Sequence, residues 1–515
     1  MRRIILQAIG IILPIMFLSS CNDWLDEQKY TKKVAMENFY QTTDDANAGV
    51  LAVLDKMRES YGDNWFATLE INTEYVYPKG VYTSYGQYTG LNNNTHISRC
   101  ATDWQRIYRA IQNCNTALSR IPKSTEMKDS EKDAYCAELY FLRALNYFML
   151  VRTYGGVPVR TVENMTTWDL RKSSAEEVYT QIQADLDKAV ANCPDKPRLV
   201  GTPGKNAAKA LKAWVCLYTK DYSTAKKLAG EVISSNDYSL VKATSSDDMQ
   251  AKIFGADLTT STEEVFYIKT SRTDNKCWKY PMYLAHPKYE YAECKAVCGH
   301  NGYYTHYTDR RNPVIANWDD NDLRKNLNVA HYVFGKDAYG TETCLLLKYR
   351  DPDASGSNAN VNIPLIRYTD VLLVYSEACA RAAGSPVQES VNALNMIRRR
   401  AYGKDPEVAD ASVDYKLSDC STMDKYIDLL IKEERYERFN EGKHWFFEVR
   451  LGKAAELIND NYRSCCPWPP TQADTQGQAV DLPEKFYLLK IPDSEFEYNK
   501  AMDQAKDQNP GYTVE

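Results

Sequence analysis

Apolar residues recur every three or four positions through most of this 515-residue chain. That spacing places them on one face of successive α-helices. Ala46, Val50, Leu54 and Met57 share a face within 37–58. Trp104, Tyr108, Ile111, Asn115 and Leu118 do so within 102–121, and Ala137, Phe141, Ala144, Phe148 and Val151 within 131–154. Gly155-Gly156 ends the third helix, because glycine takes the left-handed cap conformation cheaply. Ser173 or Ser174, with Glu176 or Glu177 three residues on, makes a capping box for a helix that turns Val178, Ile182, Leu186 and Ala189 inward and stops at Pro194. Two stretches then read as helical hairpins. In the first, 205–219 is rich in Ala and Leu, Asp221-Tyr222 turns, and 223–234 returns through Ala225, Ala229 and Ile233. In the second, 368–383 is capped by Gly384, and Ser385-Pro386 opens 386–401. One hairpin cannot bury its apolar face alone, so such units stack. The expected fold is mainly α: a tetratricopeptide-like helical-hairpin scaffold.

Residues 237–366 break this rhythm. They are turn-rich, with short β-leaning runs such as Val265-Phe266-Tyr267-Ile268 and Leu345-Leu346-Leu347, and 351–363 (DPDASGSNANVNI) is a loop by composition. The expected division is a helical part over 21–236, with the hairpin 205–234; an irregular inserted lobe over 237–366; and a C-terminal part over 367–515, with the hairpin 368–401. Residues 464–483 carry Pro467, Pro469, Pro470 and Pro483 and read as a long loop.

The first twenty residues belong to another category. Arg2 and Arg3 precede an apolar run from Ile4 to Phe17, then Leu18-Ser19-Ser20-Cys21. A positive start, an apolar core too short to span a bilayer and small residues before a cut mark an export signal. L-S-S-C resembles a bacterial lipobox, with Cys21 supplying the thiol that takes the lipid. Acyl chains hold by about 0.8 kcal/mol per buried methylene, so several make a firm membrane anchor. Asn22-Asp23-Trp24-Leu25-Asp26-Glu27 resembles the surface-export tag of Bacteroides-group lipoproteins.

Net charge is −6 and no basic run offers phosphate contacts, which argues against nucleic acid. There are 14 cysteines. With Cys21 acylated an odd number remains, so at least one thiol stays free. Cys136, Cys216 and Cys379 fall within helical apolar patterns and read as small buried hydrophobes.

Several segments, taken in order, resemble the SusD/RagB family of outer-membrane nutrient-binding lipoproteins. ENFYQTTDDANAGVLAVLDKM is similar to the family's first helix, and WQRIYRAIQNCNTAL (104–118) to its W-x-x-x-Y-x-x-I-x-x-x-N pattern. AELYFLRALNYFMLVRTYGGVPV (137–159) carries Leu142-Arg143-Ala144 and Tyr154-Gly155-Gly156-Val157-Pro158. GKNAAKALKAWVCLY (204–218), IPLIRYTDVLLVYSEA (363–378), IKEERYERFNEGKHWFFEVRLG (431–452), IPDSEFEYN (491–499) and QNPGY (508–512) complete the series. The resemblance implies a lid over a TonB-dependent, SusC-like transporter that captures a glycan without breaking bonds and needs no cofactor. The helical side would face the transporter and loops on the irregular side would hold the ligand.

Sugar capture needs flat aromatic faces for the apolar side of a pyranose, and amides or charges for its hydroxyls. Two stretches supply these groups. The first, 75–94, offers Tyr82, Tyr85, Tyr88 and Asn93 among tyrosines without helical spacing. The second, 277–307, offers Trp278, Tyr280, Tyr283, Tyr303 and Tyr304, with Trp318 beyond. The competing reading for each ring is packing within a loop core. If these rings are exposed, Tyr85→Ala or Trp278→Ala should weaken glycan retention without unfolding the chain.

Other chemistry is less well supported. Cys277, His286, Cys294, Cys298, His300 and His306 cluster in sequence, but C-x-x-x-C-x-H is not a standard zinc spacing. Asp319, Asp320, Asn321 and Asp322 lack the glycine and distant Glu of a calcium loop. No nucleophile elbow, P-loop or H-E-x-x-H is present. Glu433 and Glu434 read as helix-surface acids paired with Arg435 and Arg438. The expectation is a binding protein with no metal. A surface glycoside hydrolase, or a lipoprotein that binds peptide or acts as a scaffold, is the alternative.

Overall fold

The computed structural model describes residues 39–82, 94–272, 276–287, 291–297, 299, 302–332, 342–354, 358–462 and 487–512. Helices dominate. α1 (Thr43–Ser60) opens with a reciprocal cap: Asp45 N–H donates to Thr42 Oγ1 at 3.1 Å, and Thr42 N–H to Asp45 Oδ2 at 3.0 Å. α2 (Asn94–Arg120) begins before the expected 102, extending its buried face back to Cys100. α3 (Asp129–Tyr154) ends at Gly155, whose φ is +70°. α4 (Ala175–Asn192) starts from Ser174 with Glu177 closing the capping box. The first hairpin is α5 (Lys205–Tyr218) and α6 (Tyr222–Ser234), with Asp221 accepting from Thr224 N–H at 3.1 Å.

Each helix packs on its successor from α1 to α6. The second hairpin, α7 (Tyr368–Ala383) and α8 (Gln388–Ala401), continues the stack, with α7 lying directly on α6. The scaffold is therefore continuous in space, although the intervening lobe separates its parts in sequence. α8 begins two residues beyond the Ser385-Pro386 signal: Val387 is the cap, and its N–H donates to Ser390 Oγ at 3.2 Å. α9 (Met423–Glu437) and α10 (His444–Leu451) pack beneath.

The signature residues explain themselves as scaffold. Arg143 on α3 donates twice to Asp185 on α4, at 2.8 and 2.6 Å, and once to Asn115 on α2, at 2.5 Å. Asn115 in turn donates to Arg160 O at 3.0 Å. Tyr108 donates to Pro158 O at 2.7 Å, and Trp104 packs edge-on against Tyr154. Three helices and the Gly-Gly-Val-Pro turn are thus pinned by polar groups that burial leaves no other partner.

Among the described residues there are six short strands, five from the lobe and its junction with α7 and one, β1, from the N-terminal part. β1 (Tyr77–Pro78), β3 (His306–Asp309), β5 (Thr343–Leu346) and β4 (Val329–His331) form an antiparallel sheet in that order. β2 (Glu264–Ile268) pairs with β6 (Ile363–Arg367), which runs into α7. Buried charges tie lobe to scaffold. Arg367 reaches Glu263, Glu437 and Glu441 at 3.0, 3.0 and 2.7 Å. Arg324 binds Asp322 at 2.7 Å and Glu433 at 2.9 Å. Glu433 therefore pairs across elements, with Arg324 and Arg398, rather than along its own helix, and Arg435 turns to Glu74 at 2.5 Å. Cys136, Cys216 and Cys379 are buried free thiols. Among the described residues no helix is long and apolar enough to cross a membrane.

Candidate functional site

The two aromatic stretches meet. β1 and β3 pair with Tyr77 opposite Tyr307 and Pro78 opposite His306, and Lys79 N–H donates to Thr305 O at 2.8 Å. This register brings Tyr82 edge-on to Tyr283, with ring centroids 5.7 Å apart. Both phenols donate to one acceptor, Asn64 Oδ1, at 2.8 and 3.0 Å. Asn64 lies in a π-helical turn, Tyr61–Trp65, between α1 and the short helix Phe66–Glu70. Its neighbour Asp63 departs from helical geometry (φ −102°, ψ −105°). Such turns re-aim side chains and are frequent at functional sites.

Charged groups surround this amide. Arg106 meets Asp63 Oδ2 at 3.0 Å, and Lys279 meets Oδ1 at 3.3 Å. The Arg99 guanidinium lies over the Tyr82 ring, 4.5 Å from its centroid. Asp103, one helical turn after Arg99, is buried. Burial pushes its carboxyl up to about 8; Asp63 adds to the rise, while Arg106 and Arg99 oppose it. Asp103 Oδ1 and Arg99 Nη1 are buried without a hydrogen-bond partner among the described residues. Beneath the rings His306 is neutral: burial lowers it to about 4, its Nε2 donates to Ala67 O at 2.9 Å, and its Nδ1 accepts from Thr305 Oγ1 at 2.8 Å.

The ring candidates divide sharply. Tyr303 is 57% exposed, with its ring 5.9 Å from Tyr283. Tyr82 and Tyr283 are buried beneath that rim. Trp278 is 0% exposed, wedged between Phe66, Tyr280 and Tyr349. Tyr280 is buried and donates to Asn440 Oδ1 at 3.2 Å. Tyr304 packs on His286, and Trp318 stacks on Tyr436 with 4.1 Å between centroids. These four rings form the core of a lobe with little regular structure to bury them otherwise, so Trp278→Ala would not spare the fold. Cys21, Tyr85, Tyr88 and Asn93 lie outside the described residues.

Asp63, Asn64, Arg99, Asp103 and Arg106 escaped the sequence reading because they sit within helical patterns. The available signal was an Asp-Asn pair directly after Gly62. Trp168 also escaped it. This ring is 86% exposed on a loop held by Arg160, which donates to Thr167 O and Trp168 O at 2.9 Å each. Of the residues considered for metals, Asp319 accepts from Tyr402 OH at 2.9 Å and Asp322 binds Arg324, while Cys298 and His300 lie outside the described residues.

Comparison with known proteins agrees with this architecture. A family model described as "Starch-binding associating with outer membrane" matches residues 23–217, and the SusD family model matches 204–512. SusD-like protein P38 of Formosa agariphila is 26% identical over 495 residues, covering 89% of this chain and 94% of the relative. A SusD homolog from Bacteroides thetaiotaomicron shares the fold with a TM-score of 0.78 at 20% identity, covering 94% of this chain and 99% of that one. The surface glycan-binding protein A from Bacteroides fluxus gives 0.70 at 20% identity, covering 90% and 99%. With more than half of its length matched by one family model and nearly all of it by the two together, the chain belongs to the SusD family.

Proposed function

We propose that this protein captures an oligosaccharide at the cell surface and passes it to a TonB-dependent, SusC-like outer-membrane transporter, without cleaving it. The observation that carries this reading is the convergence of Tyr82 and Tyr283 on Asn64, with the exposed Tyr303 ring against Tyr283 and Asp63, Asp103, Arg99 and Arg106 close by. Tyr303 offers a ring face for stacking on a pyranose. The amide and charged groups match sugar hydroxyls, which both donate and accept. Tyr85, Tyr88 and Asn93 belong to the segment following Tyr82 and complete the proposed contact set. Family membership and the surface glycan-binding relative support a carbohydrate ligand. Acylated Cys21 holds the protein to the outer membrane, facing outward.

The test is incubation of the purified protein with a panel of glycans, read by retention and by reducing ends. Retention without new ends is expected. New reducing ends would make the protein a glycoside hydrolase. Retention of no glycan would leave a peptide-binding or scaffold lipoprotein and overturn the proposal.

A further inference from the structure

Away from this site, the imidazole of His444 is buried among three carboxylates. His444 and Glu448 lie four residues apart, on one face of α10, Glu434 comes from α9, and Glu74 from the turn before β1. All four side chains are fully buried. Glu434 Oε2 contacts His444 Nδ1. If Nδ1–H is the donor there, the Nε2 lone pair faces the other two acids. Nε2 lies 2.8 Å from Glu448 Oε1 and 3.3 Å from Glu74 Oε2. Three oxygens at this point, both of Glu448 and Oε2 of Glu74, are buried and accept no hydrogen bond from another residue among those described. Arg435 serves the opposite oxygen of Glu74 and Arg438 serves Glu434, so neither satisfies them.

We infer that Glu74, His444 and Glu448 form a buried structural site for a divalent transition metal of the zinc class. The donor chemistry fits. Two carboxylates and a neutral imidazole cancel the charge of a divalent cation. Nε2, one oxygen of Glu448 and Oε2 of Glu74 supply three of the four positions of a tetrahedral zinc. Ligands about 2.0–2.1 Å from a tetrahedral zinc stand about 3.3 Å from one another, close to the separations found. Glu434 on Nδ1 supplies the carboxylate–histidine contact that fixes the tautomer of a metal-bound imidazole. Complete burial of the three ligand side chains keeps any substrate away, so the metal would clamp the turn before β1 to α10, with α9 joined through Glu434, rather than catalyse. The competing state is a proton at this point, carried on Nε2 as an imidazolium and shared with Glu448 and Glu74.

Untagged full-length protein extracted in detergent, gel-filtered in chelator and analysed by elemental mass spectrometry should retain near-stoichiometric zinc. Glu448→Gln, which keeps side-chain shape, should lose it, and Glu434→Gln should weaken zinc binding about 10- to 100-fold. Should the variants fail to fold, wild-type protein unfolded, stripped and refolded with Co2+ decides the matter: visible d–d bands of a tetrahedral site are expected. Wild-type protein that takes up neither zinc nor Co2+ would overturn the inference in favour of the shared proton. So would Glu448→Gln that folds and keeps its zinc.

Discussion

At the scale of single residues, Tyr303 and Trp278 lie in one aromatic stretch and should respond to truncation in opposite ways. Tyr303→Ala removes an exposed ring, so glycan retention should weaken by on the order of 1 kcal/mol with the melting temperature unchanged. Trp278→Ala opens a cavity in the lobe core and should cost about 3–5 kcal/mol of stability, read in a urea titration. Retention lost in Trp278→Ala would then report unfolding rather than a missing contact. His306 carries a pH prediction. Folded, it stays neutral down to about 4, whereas an unfolded histidine titrates at 6.5. Between these values the unfolded chain holds a proton that the folded chain refuses, so stability present above pH 6.5 is lost as pH falls. About 2 kcal/mol should disappear between pH 7 and 5, and His306→Gln, whose amide can still donate to Ala67 O, should remove that share of the slope. The sequence marked the two stretches as candidates because clustered tyrosines without helical spacing are visible in one dimension, but that they meet follows from the pairing of β1 with β3. It did not separate Tyr303 from Trp278, since exposure depends on which layer of the lobe covers each ring. Nor did it mark Asn64 and Asp103, whose helical neighbours hide them.

At the scale of elements, the cap chemistry was readable because it is local. Ser174, Gly155 and Gly384 end or begin their helices through bonds within a few residues. Pairings such as Arg143 with Asp185 and Glu433 with Arg324 join helices far apart in sequence, so spacing alone could not reveal them. Arg143→Met strands Asp185 in the interface between α3 and α4 and should cost about 3–5 kcal/mol. Adding Asp185→Leu should restore most of that loss, since a buried pair replaced by apolar groups is often neutral. Matched chemical-denaturation curves of the single and double variants check both statements. Gly156 is constrained by space instead: a Cβ there would meet Ser173 O at 2.3 Å. Gly156→Ala should therefore shift the turn that Tyr108 and Asn115 pin, lowering stability by about 1–3 kcal/mol in the same assay.

At the scale of the whole molecule, the helical scaffold was legible from periodicity, whereas the docking of the two hairpins was not, because α6 and α7 are separated by the entire lobe. Cys21→Ala should move the protein from the membrane fraction to the soluble fraction without altering its melting temperature, checked by cell fractionation and calorimetry. The seam between α6 and α7 also has a consequence for how the chain is made. Helices α1 to α6 can assemble pairwise as neighbours, but the free flank of α6 must wait until residues beyond 368 have emerged. Closing a loop of that length costs only logarithmically more than closing a short one, so final stability suffers little. The delay falls on the rate. During synthesis and export, the side of α6 that α7 later covers, where Gly230 meets Tyr375, remains open to other chains, and this seam is where misassembly would begin.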